Sequence, residues 1–193
     1  FDNDYADIVV VIADASNLRR SIFLLTQIID LKIPVVLALN MIDVASKKGV
    51  IINIDQLSSD LGIKVIAINA RKSRGLSKLT HAIISEKIEK SEKSKSILNV
   101  KDVFGKIIDQ VNDIRGVKND YAAFLSLCGY DMSNSIKQKI EISVLSKQND
   151  IITERIQAKE TVRRYKSIDK IISNSVKNIE PKGKYKITQI IDN

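Results

Sequence analysis

Residues that form covalent or metal-based links are almost absent from this sequence. Its 193 residues include a single cysteine, Cys128, and a single histidine, His81. One cysteine excludes an internal disulfide, and the two residues together are too few for a cysteine or histidine metal cluster. We therefore expect a protein of a reducing compartment that has no metal site of its own.

Long hydrophobic runs and aromatic residues are also scarce. The chain has five tyrosines, four phenylalanines and no tryptophan, so its 44% hydrophobic content predicts an aliphatic core. The longest apolar runs, at residues 8–13 and 34–39, fall far short of the roughly 20 residues that a membrane-spanning helix requires. No signal peptide is visible. Because the chain starts with Phe1 instead of Met, we expect a soluble fragment of a longer protein.

Acidic residues nearly balance the basic ones only in the first half of the chain. Residues 1–90 contain twelve Lys and Arg against ten Asp and Glu, a net +2, and residues 91–193 contain nineteen against thirteen, a net +6. A basic half indicates nucleic acid, an anionic membrane surface or simply a lysine-rich solvated face. Interspersed acidic residues favour the solvated face, and the few aromatic residues disfavour RNA.

The first half of the chain alternates between strand-like and helix-like patterns. Three apolar runs typical of buried parallel strands lie at residues 8–13, 34–39 and 64–68. Segments with helical spacing follow them, at residues 18–31, before Gly62 and from Leu76 onward. This alternation predicts an α/β fold over residues 1–92, in which right-handed crossovers build a parallel sheet of three strands.

The second half has helical patterns only. Apolar stripes with helical spacing lie at residues 100–114, 121–127, 136–144 and 152–176. No proline occurs between Pro34 and Pro181, and no strand-like alternation stands out. We predict an all-helical domain over residues 93–183, followed by a short linker segment over residues 184–193.

A polar tetrapeptide ends the second predicted strand and forms the first candidate binding loop. Asn40, Met41, Ile42 and Asp43 fit the Asn-Lys-x-Asp pattern that recognises guanine in GTP-binding proteins, with Met in place of Lys. A carboxylate such as that of Asp43 accepts two parallel hydrogen bonds from N1 and N2 of guanine, and adenine lacks that pair of donors. The ordinary alternative is a turn, since Asn and Asp both favour turns and the tetrapeptide recurs by chance.

A second polar loop follows the third predicted strand. Asn69, Ala70 and Arg71 stand where G domains have Ser-Ala-Lys, a loop whose backbone N–H groups donate to the guanine O6. Ala70 matters for its small size, which allows a close approach of the base. Because ligands bind at the carboxyl ends of parallel strands, two such loops in this order favour a guanine site over coincidence.

These motifs lie in a longer stretch that resembles the bacterial ferrous-iron transport protein B (FeoB) family. The stretch includes Val-Val-Val-Ile-Ala-Asp-Ala-Ser-Asn-Leu-Arg-Arg at residues 9–20, Ile-Pro-Val-Val-Leu-Ala-Leu-Asn-Met-Ile-Asp at residues 33–43, and Ala-Arg-Lys with Gly-Leu within residues 70–76. The resemblance covers residues 7–84. It is weaker in the helical half, where Arg-Tyr-Lys-Ser-Ile at residues 164–168 is similar to the family's last long helix.

For this chain, the resemblance implies the C-terminal half of a P-loop GTPase (Rossmann-like) G domain, followed by the family's helical domain. It implies guanine contacts from six residues, which are Asn40, Met41, Asp43, Asn69, Ala70 and Arg71. The phosphate-binding pattern Gly-x-x-x-x-Gly-Lys-Ser/Thr is absent, and the switch regions that the family carries upstream are missing too. We therefore expect no catalytic residue in this chain and no GTP hydrolysis by it.

For the intact parent protein, the resemblance implies GTP and GDP as ligands, with Mg²⁺ and an activating K⁺ bound by residues that this sequence lacks. The GTP cycle would regulate Fe²⁺ uptake through a membrane pore domain of the same protein, at the cytoplasmic face of the bacterial inner membrane. Assembly into a homo-oligomer stays open. Two alternatives remain, which are another GTPase family with a helical appendage and a basic helical module that binds anionic lipid or RNA.

Overall fold

The computed structural model describes residues 7–89, 95–116, 119–130, 136–148 and 152–178. In chain order the strands are β1 (Val9–Asp14), β2 (Val35–Asn40), β3 (Val50–Ile52), β4 (Lys64–Ala67) and β5 (Val176–Asn178). The helices are α1 (Leu18–Asp30), α2 (Ile42–Lys47), α3 (Ile54–Leu61), α4 (Leu76–Glu89), α5 (Lys101–Phe104), α6 (Ile107–Arg115), α7 (Asp120–Leu127), α8 (Ile136–Gln148) and α9 (Thr153–Ser175). None of the helices in these ranges is both long and apolar enough to cross a membrane.

The main sheet consists of β1, β2 and β4, in that order and all parallel. Its register places Asp14 opposite Asn40, so β1 and β2 end at the same edge of the sheet. The central strand β2 is buried from Val35 to Leu39, because α1 packs on one of its faces and α4 contacts β2 and β4. The predicted fold class, a three-stranded parallel α/β sheet followed by helices, is confirmed.

A second, two-stranded sheet departs from the prediction. β3 and β5 pair in antiparallel orientation, with Ile51 opposite Lys177. β5 follows α9 directly and lies in the half of the chain that was predicted to be all-helical. Strands of three residues are too short to show a period of two, and each of these forms because its partner supplies the backbone hydrogen bonds.

Two hydrophobic clusters fill the interior of the protein. The first surrounds the main sheet and includes Leu25 of α1, and the second lies between the helices and includes Phe124 of α7. The last helix, α9, contributes to both clusters, with Ile168 and Ile171 in the first and Ile156 in the second. The two halves therefore share one continuous helix. The predicted domain boundaries lie outside the described residues and stay predictions.

A buried arginine joins the helical half to the sheet. Arg164 of α9 is fully buried, and its Nη1 lies 2.8 Å from Oδ2 of Asp30, the last residue of α1. Its Nε donates to Oε1 of Glu160, which lies one turn earlier on α9. Its Cζ atom lies 4.6 Å from the ring centroid of Tyr121 in α7. One guanidinium thus connects three helices in the interior.

The carboxylate of Asp30 has backbone partners as well. Its Oδ1 accepts a hydrogen bond from the Ile97 N–H at 2.7 Å, and Leu98 N–H lies 3.3 Å from Oδ2. Burial raises the pKa of the Asp30 carboxyl, and the Arg164 guanidinium and these N–H groups offset that effect only in part. The side chain is therefore stable in the interior only while its charged partner is present.

We expect Arg164→Met to lower the free energy of unfolding by about 3–5 kcal/mol, because it leaves Asp30 and Glu160 without their cation in the interior. Chemical denaturation measures the change. The matched control is Arg19→Met, which breaks an exposed two-bond contact with Asp169 that also links α1 to α9. This control should lose far less stability, since exposed ion pairs contribute little. Equal losses of stability in the two variants would contradict the claim that burial makes the contacts of Arg164 more important for stability than those of Arg19.

Candidate functional site

The loop after β2 carries the first group of predicted site residues. Asn40 ends the strand half-buried, and Met41 follows in a left-handed conformation with a φ of 60°. The chain then enters α2, whose first turn contains Asp43 with an exposed side chain. Met41 is itself 46% exposed. The side chains of Asn40 and Asp43 therefore lie at the carboxyl edge of the sheet. The exposed side chain of Met41 lies between them in the sequence.

The loop after β4 is closed by its own backbone and one side chain. Asn69 exchanges hydrogen bonds with Arg74, at 3.0 Å from the Asn69 N–H and 3.1 Å from the Arg74 N–H. Asn69 Oδ1 also accepts from the Lys72 N–H at 3.0 Å and so caps a 3₁₀ turn over Ala70–Lys72. Arg71 lies in that turn with an exposed side chain. These hydrogen bonds define the shape of the loop.

Gly75 closes this loop against the strand. Its φ is +80°, and a Cβ atom at this position would lie 2.3 Å from the carbonyl oxygen of Ala67. Any residue with a side chain is unfavourable here for two reasons. The left-handed backbone conformation is costly for residues other than glycine, and β4 leaves no space for a Cβ atom. Sequence reasoning included this glycine in the family resemblance, but its close approach to β4 is visible only in the structure.

Two side-chain contacts connect the loops. The Ala70 N–H donates to Oδ1 of Asn40 at 3.3 Å, and Nδ2 of Asn69 donates to Oδ2 of Asp43 at 3.3 Å. Both distances are slightly beyond the usual range for such hydrogen bonds. Residues that lie 30 and 26 positions apart in the chain are therefore neighbours at one edge of the sheet.

The carboxylate of Asp43 keeps acceptor positions that the contacts between the loops do not use. It has about four acceptor positions, and Asn69 uses one, so two parallel N–H donors can still bind. The Ala70 N–H donates to Asn40 here, so a base carbonyl oxygen would have to take the place of the Asn40 amide oxygen. Sequence reasoning missed the contact of Asn69 with Asp43, because no local pattern signals a pairing between side chains on separate loops.

Three residues singled out from the sequence lie outside the two loops, which are Asp14, His81 and Cys128. Asp14 accepts a hydrogen bond from the Ser16 N–H at 2.8 Å and caps the turn before α1, as predicted. His81 is exposed on α4. Cys128 is buried, and burial raises the pKa of its thiol to about 12, so it stays protonated at neutral pH. Within the described ranges, no group of three or more His, Cys, Asp or Glu side chains is placed to hold a metal ion.

The parallel sheet and the two joined loops at its carboxyl edge define the part of a G domain that carries the base-recognition loops. Residues 2–83 match the family model described as ferrous iron transport protein B. Over these residues the chain is similar to that family.

Similarity to individual relatives extends beyond the matched segment. The Fe(2+) transporter FeoB of Escherichia coli is 37% identical over 107 residues, which make up 53% of this chain and 14% of that protein. The cytosolic domain of L. pneumophila FeoB superposes with a TM-score of 0.70 and 24% identity over 92% of this chain and 70% of that chain. A GDP-bound mutant of the S. thermophilus FeoB G-domain superposes with a TM-score of 0.70 and 26% identity over 90% of this chain and 71% of that chain.

The glycine that closes the second loop can be tested directly. We expect Gly75→Ala to lower the free energy of unfolding by about 2 kcal/mol or more and to shift the amide NMR signals of residues 69–75, because the new Cβ collides with β4. Gly62→Ala is the matched control, since Gly62 also has a positive φ of 67° but its Cβ would meet no atom closer than 3.8 Å. It should cost about 1 kcal/mol. Indistinguishable losses would contradict a steric role for Gly75.

Proposed function

We propose that this chain is the base-recognition part of the GTP-binding region of a bacterial ferrous iron transporter. The observation that carries the proposal is the junction of the two loops, where Asn40 contacts Ala70 and Asp43 contacts Asn69. The match to the family model and the Fe(2+) transporters among the relatives support the link to iron transport. The GDP-bound relative supports a guanine nucleotide as the ligand.

In this proposal Asp43 selects the base. Its two carboxylate oxygens accept the N1–H and N2–H donors of guanine, and Asn69 keeps the carboxylate in place from the neighbouring loop. The exposed thioether of Met41 covers one face of the base, where a polarizable side chain makes favourable contacts with an aromatic ring. The cation that the usual pattern has at this position is missing, so stacking at Met41 is purely non-ionic.

The second loop supplies the remaining contacts. The Ala70 N–H turns from Asn40 to the guanine O6, and the Asn40 amide, released by this exchange, bonds the base or the loop. Arg71 lies exposed next to Ala70 and shields the bound base from water with its long side chain. The exchange costs little, because the contact that it replaces is long.

The intact G domain would bind and hydrolyse GTP and so control Fe²⁺ uptake. The phosphates, Mg²⁺ and K⁺ require residues outside this sequence, because it has no Gly-x-x-x-x-Gly-Lys-Ser/Thr loop. The chain spans only 14% of the length of the E. coli relative. We place it at the cytoplasmic face of the inner membrane, with the membrane pore domain of the same parent protein as its partner.

Replacement of the selecting carboxylate should change the preferred base. We expect Asp43→Asn to shift the ratio of Kd values for guanosine and xanthosine monophosphates by about tenfold or more toward xanthosine, because the amide donates a hydrogen bond to the C2 carbonyl of xanthine. Amide NMR titration at millimolar nucleotide measures both affinities on the chain itself. Asp55→Asn, which changes another exposed carboxylate in the first turn of a helix, is the control. An unchanged ratio in Asp43→Asn would remove this residue from the site.

The chain itself should not hydrolyse GTP. We expect no phosphate release above the rate without protein and only feeble nucleotide affinity, because phosphate contacts supply much of the binding free energy and their loop is missing from the sequence. A phosphate-release assay in the presence of Mg²⁺ and K⁺ tests this. Clear turnover that is lost in Asp43→Asn would refute the prediction, and turnover that survives that substitution would indicate a contaminating phosphatase.

A further inference from the structure

The short strand β5 is fixed to β3 through backbone hydrogen bonds. The Asn53 N–H donates to the carbonyl oxygen of Ser175 at 2.7 Å, and the antiparallel register continues to Ile51 and Lys177. Bonded and non-bonded pairs alternate along an antiparallel ladder, so Ile51 and Lys177 form the next bonded pair. The side chain of Lys177 is exposed. The backbone of Lys177, and not its side chain, therefore connects β5 to β3 at this position.

β3 is connected to the base-recognition loop by one short, hydrogen-bonded segment. Asp43 lies in the first turn of α2, and only Lys48 and Gly49 separate the end of α2 from β3. The N–H groups of these two residues continue helix-type hydrogen bonds to carbonyl groups of α2. Ala45 in the middle of α2 is fully buried. The segment between Asp43 and the ladder is thus short and hydrogen-bonded, and Gly49 turns the chain into β3 with a φ of 79°.

On the other side of the ladder, α9 leads into β5 from a fixed position. Arg164 attaches α9 to the end of α1, as described above. Near its C-terminal end, Nδ2 of Asn174 donates to Oδ2 of Asp60 in α3 at 3.1 Å. Ser175 is buried and donates to the carbonyl oxygen of Ile171. The residue before β5 is therefore held both by its own helix and by the first half of the chain.

We infer that β5 is a positioning element for the base-recognition loop, because the β3–β5 ladder links Asp43 to the chain that follows Asn178. This inference rests on the function proposed above, since it concerns how that site is held. A displacement of β5 acts first on the ladder and then, through α2, on Asp43, and a ligand at Asp43 acts on the ladder in the reverse direction.

Two substitutions of Lys177 separate the backbone from the side chain. Lys177→Pro removes the N–H that bonds Ile51, whereas Lys177→Ala keeps it. The residue before the proline, Val176, already has the extended conformation that a following proline requires, with φ of −120° and ψ of 129°. Hydrogen–deuterium exchange, followed by mass spectrometry on the whole chain without nucleotide, reports the opening of each segment.

We expect Lys177→Pro to speed amide exchange in residues 42–49 by about fivefold, the factor that corresponds to one lost backbone hydrogen bond, while Lys177→Ala leaves it unchanged. Val111→Ala, which creates a cavity in the helical cluster, is the control for a general loss of stability. It should not accelerate residues 42–49 selectively. Faster exchange that is confined to residues 50–53 and 175–178, or an equal effect of Val111→Ala on residues 42–49, would overturn the inference.

The exchange experiment contains no nucleotide, so its outcome does not depend on whether guanine binds. If exchange in residues 42–49 responds to Lys177→Pro but Asp43→Asn leaves the base preference unchanged, the mechanical link stands and the proposed ligand fails. If base preference shifts as expected but exchange does not respond, the site stands and the role of β5 is refuted.

Discussion

The buried guanidinium of Arg164 is the interaction on which the arrangement of the two halves depends. Removal of an arginine and two carboxylates from water is costly, and their attraction compensates only when the geometry is good and the remaining polar atoms are bonded. Here Asp30, Glu160 and the ring of Tyr121 surround one cation in the interior. Nη2 of Arg164 is buried without a hydrogen-bond partner, so the compensation is incomplete. The charge network connects α9 to α1 and α7 ahead of the point where β5 begins.

The two loops after β2 and β4 depend on the parallel sheet in a similar way. Neither loop forms the proposed guanine site alone, because each supplies only part of the hydrogen-bonding surface. The register that sets Asp14 opposite Asn40 also ends neighbouring strands at one edge, and Gly75 lets the second loop press against β4. The contacts of Asn69 and Ala70 with the first loop then follow from the strand spacing.

Structural similarity to the family extends further along the chain than sequence similarity does. The family model matches residues 2–83, whereas the cytosolic-domain structure of a relative covers 92% of this chain at 24% identity. Helix packing explains the difference, since a core tolerates many substitutions as long as volume and apolar pattern are kept. Loops that bind a ligand tolerate fewer, because specific donors and acceptors must stay in place. The first half is therefore recognisable from its residues, and the helical half mainly from its shape.

The sequence by itself determined the elements whose cause is local. Apolar runs specified the buried strands and helical spacing specified the helices, whereas the guanine site at Asn40 and Asp43 stays a prediction. Only the tertiary structure decided which distant groups meet. The contact of Asn69 with Asp43, the burial of Arg164 beside Asp30, and the strand over Val176–Asn178 all depend on partners far away in the chain. A three-residue strand or a buried ion pair has no periodic pattern, because its stability comes from the partner and not from its neighbours in sequence.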